Sequence, residues 1–192
     1  MISEKYKKVL ETIHESTPFG KRAKFPKHLE KFIKDVKPTS MIDFGCGKGR
    51  LIDRIKEVYP DINVRGYDPG NTSFNSPIDK SVDLLMSTDV LEHVEPVYLE
   101  ETLKFLSTKS RYVYHQIACS PAKLILPDGR NAHLIIENQS WWRQKFLDLD
   151  YKIISEDWLE YTKFSKELRR DLLIKKYIIM AEKQNGDITT GC

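Results

Sequence analysis

Apolar positions along this chain recur with helical spacing in some stretches and as short runs in others. Ile2, Tyr6, Val9, Leu10 and Ile13 predict an amphipathic helix over 3–14. The "TPFGKRAKFP" stretch has Pro, Gly and Lys without a period and reads as a loop. Pro26 suits the first turn of a second helix, 26–36, with Leu29, Phe32, Ile33 and Val36 on one face, and Pro38 ends it. Strands and helices then alternate. Strands are predicted at 40–44, 63–68, 81–87 and 111–117. Helices are predicted at 49–58, 96–107 and from Ser140 as N-cap to about 149. Late strands follow at 151–155 and 176–182. Residues 157–175, carrying Trp158, Tyr161, Phe164 and Leu168, are predicted as a helical insertion.

Such alternation predicts an α/β fold with a mainly parallel sheet covered on both faces. Ligands of these sheets sit at the carboxyl ends of the strands, near the switch point. The excursion 118–139 is predicted to wall a substrate pocket. Trp141 and Trp142 lie about 100° apart on a helix, so both cannot face the core. Trp142, paired with Phe146, is the core residue.

Composition narrows the setting. A chain of 192 residues fits one domain, taken as 1–183 with a flexible tail at 184–192. Its apolar runs are too short for a membrane helix, and the charged start "MISEKYKKVLETIHE" has no signal-peptide core. Only Cys46, Cys119 and Cys192 are present, which points to a reducing, cytoplasmic location and away from a disulfide framework. Residues 1–40 hold ten basic side chains against five acidic ones, while the whole chain is only +3. The segment 1–39 is therefore a basic helical extension. Either it is a solvated lysine-rich face or it approaches an anion such as RNA.

The chemistry centres on "MIDFGCGKGRLIDRI". A phosphate-binding loop GxxxxGK[ST] fails, because Gly49 follows Lys48. The dinucleotide pattern GxGxxG fails, because Arg50 is too bulky for the third position. The glycines fall as GxGxG at 45, 47 and 49, preceded by Asp43. A carboxylate there repels a pyrophosphate and attracts an ammonium and a sulfonium. Alternatively, Asp43 caps a turn or helix. Asp68, ending the next strand, can accept both hydroxyls of a ribose, in a dinucleotide or in an adenosyl ligand.

"MIDFGCGKG", the acid in "VRGYDPG" and "SVDLLMSTDVLEHV" together resemble the class I S-adenosylmethionine-dependent methyltransferases. The resemblance implies a Rossmann-like sheet with helices on both faces, S-adenosylmethionine as cofactor, and methyl transfer to an O or N acceptor. It implies a cofactor-binding set of Asp43, Gly45, Cys46, Gly47, Asp68, Pro69, Ser87, Thr88 and Asp89. In such enzymes a segment before the first sheet strand often closes over the cofactor, which makes Lys21 and Arg22 candidate carboxylate partners. One departure stands out. Only 12 residues, "PGNTSFNSPIDK", separate Asp68 from the "SVDLL" strand. The family's third strand and its helix cannot fit there, so the sheet is predicted to be shortened after its second strand. Ser76 or Asp79 are then candidate contacts for the adenine edge.

Asp89, Glu92 and His93 at i, i+3 and i+4, with His133, form a candidate set for a divalent metal. The arrangement resembles the E-x-x-E-H of small-RNA 2′-O-methyltransferases and of ubiquinone O-methyltransferases, with Asp89 in place of the first Glu. The other reading is that Glu92 and His93 merely cap and pack the helix. His115 and His133 are candidate general bases, beside Gln116. The acceptor is expected to be a small molecule or sugar. RNA is the alternative acceptor, a non-catalytic cofactor-binding subunit the alternative role, and a dinucleotide oxidoreductase the more distant one. No membrane partner is expected, and the oligomeric state is not read from the sequence.

Overall fold

The computed structural model describes residues 2–16 and 25–184. Its elements run α1 (Glu4–Ser16), α2 (Lys27–Val36), β1 (Ser40–Phe44), α3 (Arg50–Val58), β2 (Asn63–Tyr67), β3 (Val82–Thr88), α4 (Leu99–Ser107), β4 (Ser110–Ala118), α5 (Gln139–Leu147), β5 (Tyr151–Ser165) and β6 (Arg170–Lys183). The six strands form one sheet in the order β2-β1-β3-β4-β6-β5. The first four are parallel, and β6 and β5 close the far side antiparallel.

Both faces of the sheet are buried because successive strand residues divide between two cores. Ile42, Leu85, Val113, Tyr177 and Ile179 pack on Leu103 and Leu106 of α4 and on Trp142 and Phe146 of α5. Their chain neighbours Met41, Leu84, Met86, Tyr114, Ile178 and Met180 pack on Leu29, Phe32 and Ile33 of α2 and on Leu51, Ile52 and Ile55 of α3. A third cluster joins Tyr6 and Ile13 of α1 to Leu126 and Ala132.

Between Asp68 and Val82 the described chain forms only turns, so β2 is the sheet edge, as the 12-residue spacing predicts. The helical insertion predicted at 157–175 is overturned. Those residues continue β5 and begin β6, paired without interruption from Ser155↔Met180 to Ser165↔Arg170. The apolar residues at 158, 161, 164 and 168 can be read at helical spacing, but the pairing obeys a period of two. Leu159 packs toward α2 and α3, and Trp158 toward α4 and α5. The resulting hairpin runs past the carboxyl end of β4, whose Ala118 already pairs with Lys176.

Two smaller boundaries also shift. The predicted helix 96–107 is a 3-10 turn, Pro96–Tyr98, followed by α4. Asn138, not Ser140, caps α5, its side chain accepting from Trp141 N at 3.0 Å. The 118–139 excursion braces α1 through Leu126 and Ala132 and contributes no residue to the main cleft.

At the exit of β1, Gly45 has φ +76°, and a Cβ there would lie 2.4 Å from Val90 Cγ1. Gly45→Ala is expected to cost about 1–3 kcal/mol from backbone conformation and overpacking, read from urea unfolding. Val90→Ala in the same chain should give a favourable coupling in a double-mutant cycle. A coupling of zero would mean that the Val90 contact does not exclude the side chain.

Candidate active site

The glycine turn is fastened to the end of β2. Gly45 N and Cys46 N both donate to Tyr67 O, at 2.7 and 3.1 Å. One oxygen of Asp68 accepts from Gly47 N at 2.8 Å, and the other accepts from Gly70 N at 2.9 Å. Asn71 Nδ2 donates back to Gly47 O at 2.6 Å. The third glycine of the GxGxG pattern now has a physical reason. A Cβ on Gly49 (φ +71°) would lie 2.6 Å from the Phe74 ring, and Phe74 comes from the shortened 68–81 segment.

Beside this turn lies a cleft of about 830 Å3, at the carboxyl ends of β1 and β3 where the strand order reverses. Asp43, Gly45, Cys46, Gly47, Asp68, Thr88 and Asp89 line it, so seven of the nine expected cofactor residues meet there. Pro69 borders an adjoining slot that shares Gly45, Asp68 and Asp89 with the cleft. Ser87 is the exception. As the neighbour of Thr88 in a strand it points to the opposite face, where it is fully buried and bonded to His115. Lys21 and Arg22 lie outside the described residues.

Asp43 is 2% exposed, and its Oδ1 has no hydrogen-bond partner among the described residues. Burial, and then the neighbouring Asp68, push its pKa up to about 8. Burial likewise raises the Cys46 thiol, so Cys46 is not a nucleophile at neutral pH. At the end of β3, Asp89 holds φ +56°. Its two oxygens accept from Lys176 Nζ at 2.7 and 2.6 Å, and Oδ1 also accepts from Gln116 Nε2 at 3.3 Å. Phe25 and Lys27 ahead of and opening α2, Arg50 on α3, and Leu159, Tyr161, Lys163 and Lys176 on the hairpin complete the walls. Sequence reasoning missed the hairpin residues. The alternation of Leu159, Tyr161 and Lys163 is the signal that could have found them.

Neither candidate base reaches the cleft. His115 is 1% exposed, bonds Ser87 Oγ through Nδ1 at 2.8 Å and stacks on Phe146. Burial pulls its pKa down to about 3, so it is a neutral core group. His133 faces Glu92 and His93 instead, with Nδ1 on the carbonyl of Ser120 at 2.5 Å. Ser76 and Asp79 are exposed and line neither cavity. Asp79 instead pairs with Arg65.

The metal set is also revised. Asp89 and His93 do not share a helix, because Asp89 closes β3 and only Leu91–His93 form a 3-10 turn. Asp89 is committed to Lys176. Glu92, His93 and His133 each bring one ligand atom to within 4.8 Å of the others. Glu92 is fully buried, its Oε1 accepting from Ala118 N at 3.0 Å while Oε2 has no partner among the described residues. His93 Nδ1 pairs with Ala132 O at 2.7 Å. Backbone carbonyls thus hold the Nδ1 of both imidazoles, the pattern that orients a histidine ligand.

A family pattern described as "Methyltransferase domain" matches residues 19–163. Among curated proteins none matches the sequence. Among solved structures, the fold resembles the 1,6-didemethyltoxoflavin-N1-methyltransferase of Burkholderia thailandensis, solved with 1,6-didemethyltoxoflavin and S-adenosylhomocysteine. The TM-score is 0.65 at 12% identity, over 96% of this chain and 92% of that one. It also resembles TehB from Haemophilus influenzae (0.60, 12%, over 92% and 67%). A third likeness is the methyltransferase domain of a bacterial CtHen1 (0.53, 14%, over 93% and 99%). The family pattern spans most of the chain, and the sheet order and glycine turn agree with it. The chain therefore belongs to the methyltransferase-domain family, as a class I S-adenosylmethionine-dependent methyltransferase.

Proposed function

We propose that the protein methylates an oxygen or nitrogen of a small molecule or sugar bound between Asp89 and the β5–β6 hairpin. The observation that carries this is the extent of the cleft. It continues past the cofactor carboxylates Asp43 and Asp68 to Gln116, Lys176 and Tyr161, and its volume of about 830 Å3 lies within the range of small-ligand pockets, about 300–1,000 Å3. The Burkholderia relative, whose named acceptor is a small heterocycle, supports the same reading. The RNA alternative rests on the basic start of the chain, where Lys21, Arg22 and Lys24 fall outside the described residues.

The residues present fit the cofactor. Asp43 offers a buried carboxylate oxygen without a partner among the described residues to an ammonium group, and Asp68, held by the Gly47 and Gly70 amides, offers its carboxylate to ribose hydroxyls. When bound, S-adenosylmethionine supplies an activated methyl group on sulfur. The chain's part is alignment and exclusion of water, which accounts for several kcal/mol of rate enhancement. Asp89, fixed by Lys176, is the polar group that orients the acceptor. With purified protein, S-adenosylhomocysteine release should be seen with members of a panel of hydroxylated and amino-bearing small molecules. Asp89→Asn should lower kcat by about a hundredfold with little change in S-adenosylhomocysteine affinity. Turnover only with RNA would reject the reading.

Cofactor affinity should depend on pH. Ionised Asp43 attracts the ammonium, and in the free protein it is protonated below about 8. Affinity for S-adenosylhomocysteine should therefore rise from pH 6.5 to 8, by at most about tenfold per unit, and flatten above. Asp43→Asn should bind more weakly and without that slope. A flat profile in the unsubstituted protein would show that Asp43 is ionised already or makes no contact with the ligand.

A second reading adds a divalent cation on Glu92, His93 and His133, favoured by the convergence of their ligand atoms around a buried, unpaired Oε2. Two imidazoles and a carboxylate suit a transition metal better than magnesium. Titration with Co2+ should give visible absorption at one equivalent per chain, lost in His133→Ala. No absorption in the unsubstituted protein would end this reading and leave the first untouched.

A further inference from the structure

A slot of about 100 Å3 adjoins the cleft at Asp68 and is roofed by the N-terminal helix. Its floor and sides are Phe44, Pro69, Val90 and Val94, and Ile2, Tyr6 and Leu10 close it from α1. Tyr6 is 3% exposed, and its hydroxyl has no hydrogen-bond partner among the described residues. A buried hydroxyl left unpaired is costly, which points to a ligand that completes it.

Helix α1 is fixed over the slot. Ser3 donates from N and Oγ to the two oxygens of Glu95, at 2.8 and 2.9 Å, and Tyr6 N donates to Ser3 Oγ at 3.1 Å. The Arg130 guanidinium lies 6.0 Å from the Tyr6 ring centroid, and Leu126 and Ala132 pack against the ring side of the helix.

We propose that Tyr6 is a specificity-determining residue that reads the purine edge of the cofactor, with α1 as the wall of the base pocket. The inference rests on the cofactor placement given above. With the ribose on Asp68, the arm that bears sulfur runs toward Gly45, Thr88 and Asp89. The slot borders the same Asp68 and shares Gly45 and Asp89 with the cleft, while its Phe44, Pro69 and Val94 are absent from the cleft; the base is placed there, beside the ribose carboxylate. These apolar walls suit a flat aromatic ring, and a tyrosine hydroxyl can donate to a ring nitrogen or accept from an amino group. In the shortened 68–81 segment, Ser76 and Asp79 lie in solvent and do not line the slot. The role that the missing strand and helix would play in walling the base falls to α1.

Calorimetric titration of S-adenosylhomocysteine and S-inosylhomocysteine into the unsubstituted chain and Tyr6→Phe tests this. The expected result is a five- to twentyfold loss of S-adenosylhomocysteine affinity in Tyr6→Phe. The preference for adenine over hypoxanthine should shrink, and the ligand-free melting temperature should stay unchanged or rise, because the lost hydroxyl had no partner. Leu10→Trp, which fills the slot, should weaken binding further. Equal affinity and equal preference in Tyr6→Phe would overturn the proposal. Absence of S-adenosylhomocysteine binding by the unsubstituted chain would overturn the cofactor placement itself.

Discussion

The site is organised by two buried carboxylates that face one cleft from adjacent strands. Asp43 and Asp68 are 2% and 6% exposed, and burial together with the neighbouring Asp68 raises the cost of charging Asp43. Asp68 is stabilised as an anion by the amides of Gly47 and Gly70. Asp43 has no partner at Oδ1 among the described residues, and its pKa is pushed up to about 8. Asp68 is thereby a strap between the β1 and β2 exits, while Asp43 keeps an unpartnered, buried oxygen at the cleft. A phosphate ligand would meet repulsion from the Asp68 carboxylate and gain nothing from Asp43.

That arrangement constrains the rest of the sheet. With β2 at the edge, no described strand lies beyond Asp68, and the slot beside that residue is lined from the N-terminus by Ile2, Tyr6 and Leu10. On the opposite side, β5 and β6 are long enough to overhang the carboxyl edge, which places Leu159, Tyr161 and Lys163 beside a cleft that the parallel strands alone would leave open. The extra length therefore shapes the cavity, while α4 and α5 fill the sheet's other face.

Much of this was legible before any coordinates. The apolar runs of β1 to β4 and the stripes of α2 and α3 are strong because both sheet faces are dry, and the shortened segment follows from counting residues between Asp68 and Ser81. Gly45 and Gly47 were readable from the turn, Asp43 and Asp68 from acids placed at two strand ends, and Thr88 and Asp89 from the family resemblance of the third motif. Ser87 was misplaced because motif adjacency ignores the strand's period of two. His115 was misread for the related reason that a position at a strand end says nothing of which face it takes. The long hairpin was misread as a helix because exposed Tyr161, Phe164 and Leu168 give an apolar pattern with no dry face to fix its period. The Lys176 partner of Asp89 is 87 residues away, and no local signal predicts such a pairing.

The histidines bear on how much chemistry the protein itself must supply. His93 and His115 are held neutral by burial, near 4 and 3, and burial lowers His133 as well. His93 and His115 therefore do not switch charge near pH 7, and none of the three borders the main cleft. The polar groups that do border it beyond Asp43 and Asp68 include an aspartate locked to a lysine, a glutamine and a threonine. Displacement at a carbon that already carries an excellent leaving group needs a base only when the acceptor is protonated. A site built this way favours acceptors that arrive with a lone pair available. It spends its structure on fixing Asp89, through the Lys176 pair and the left-handed backbone at φ +56°, instead of on tuning an imidazole.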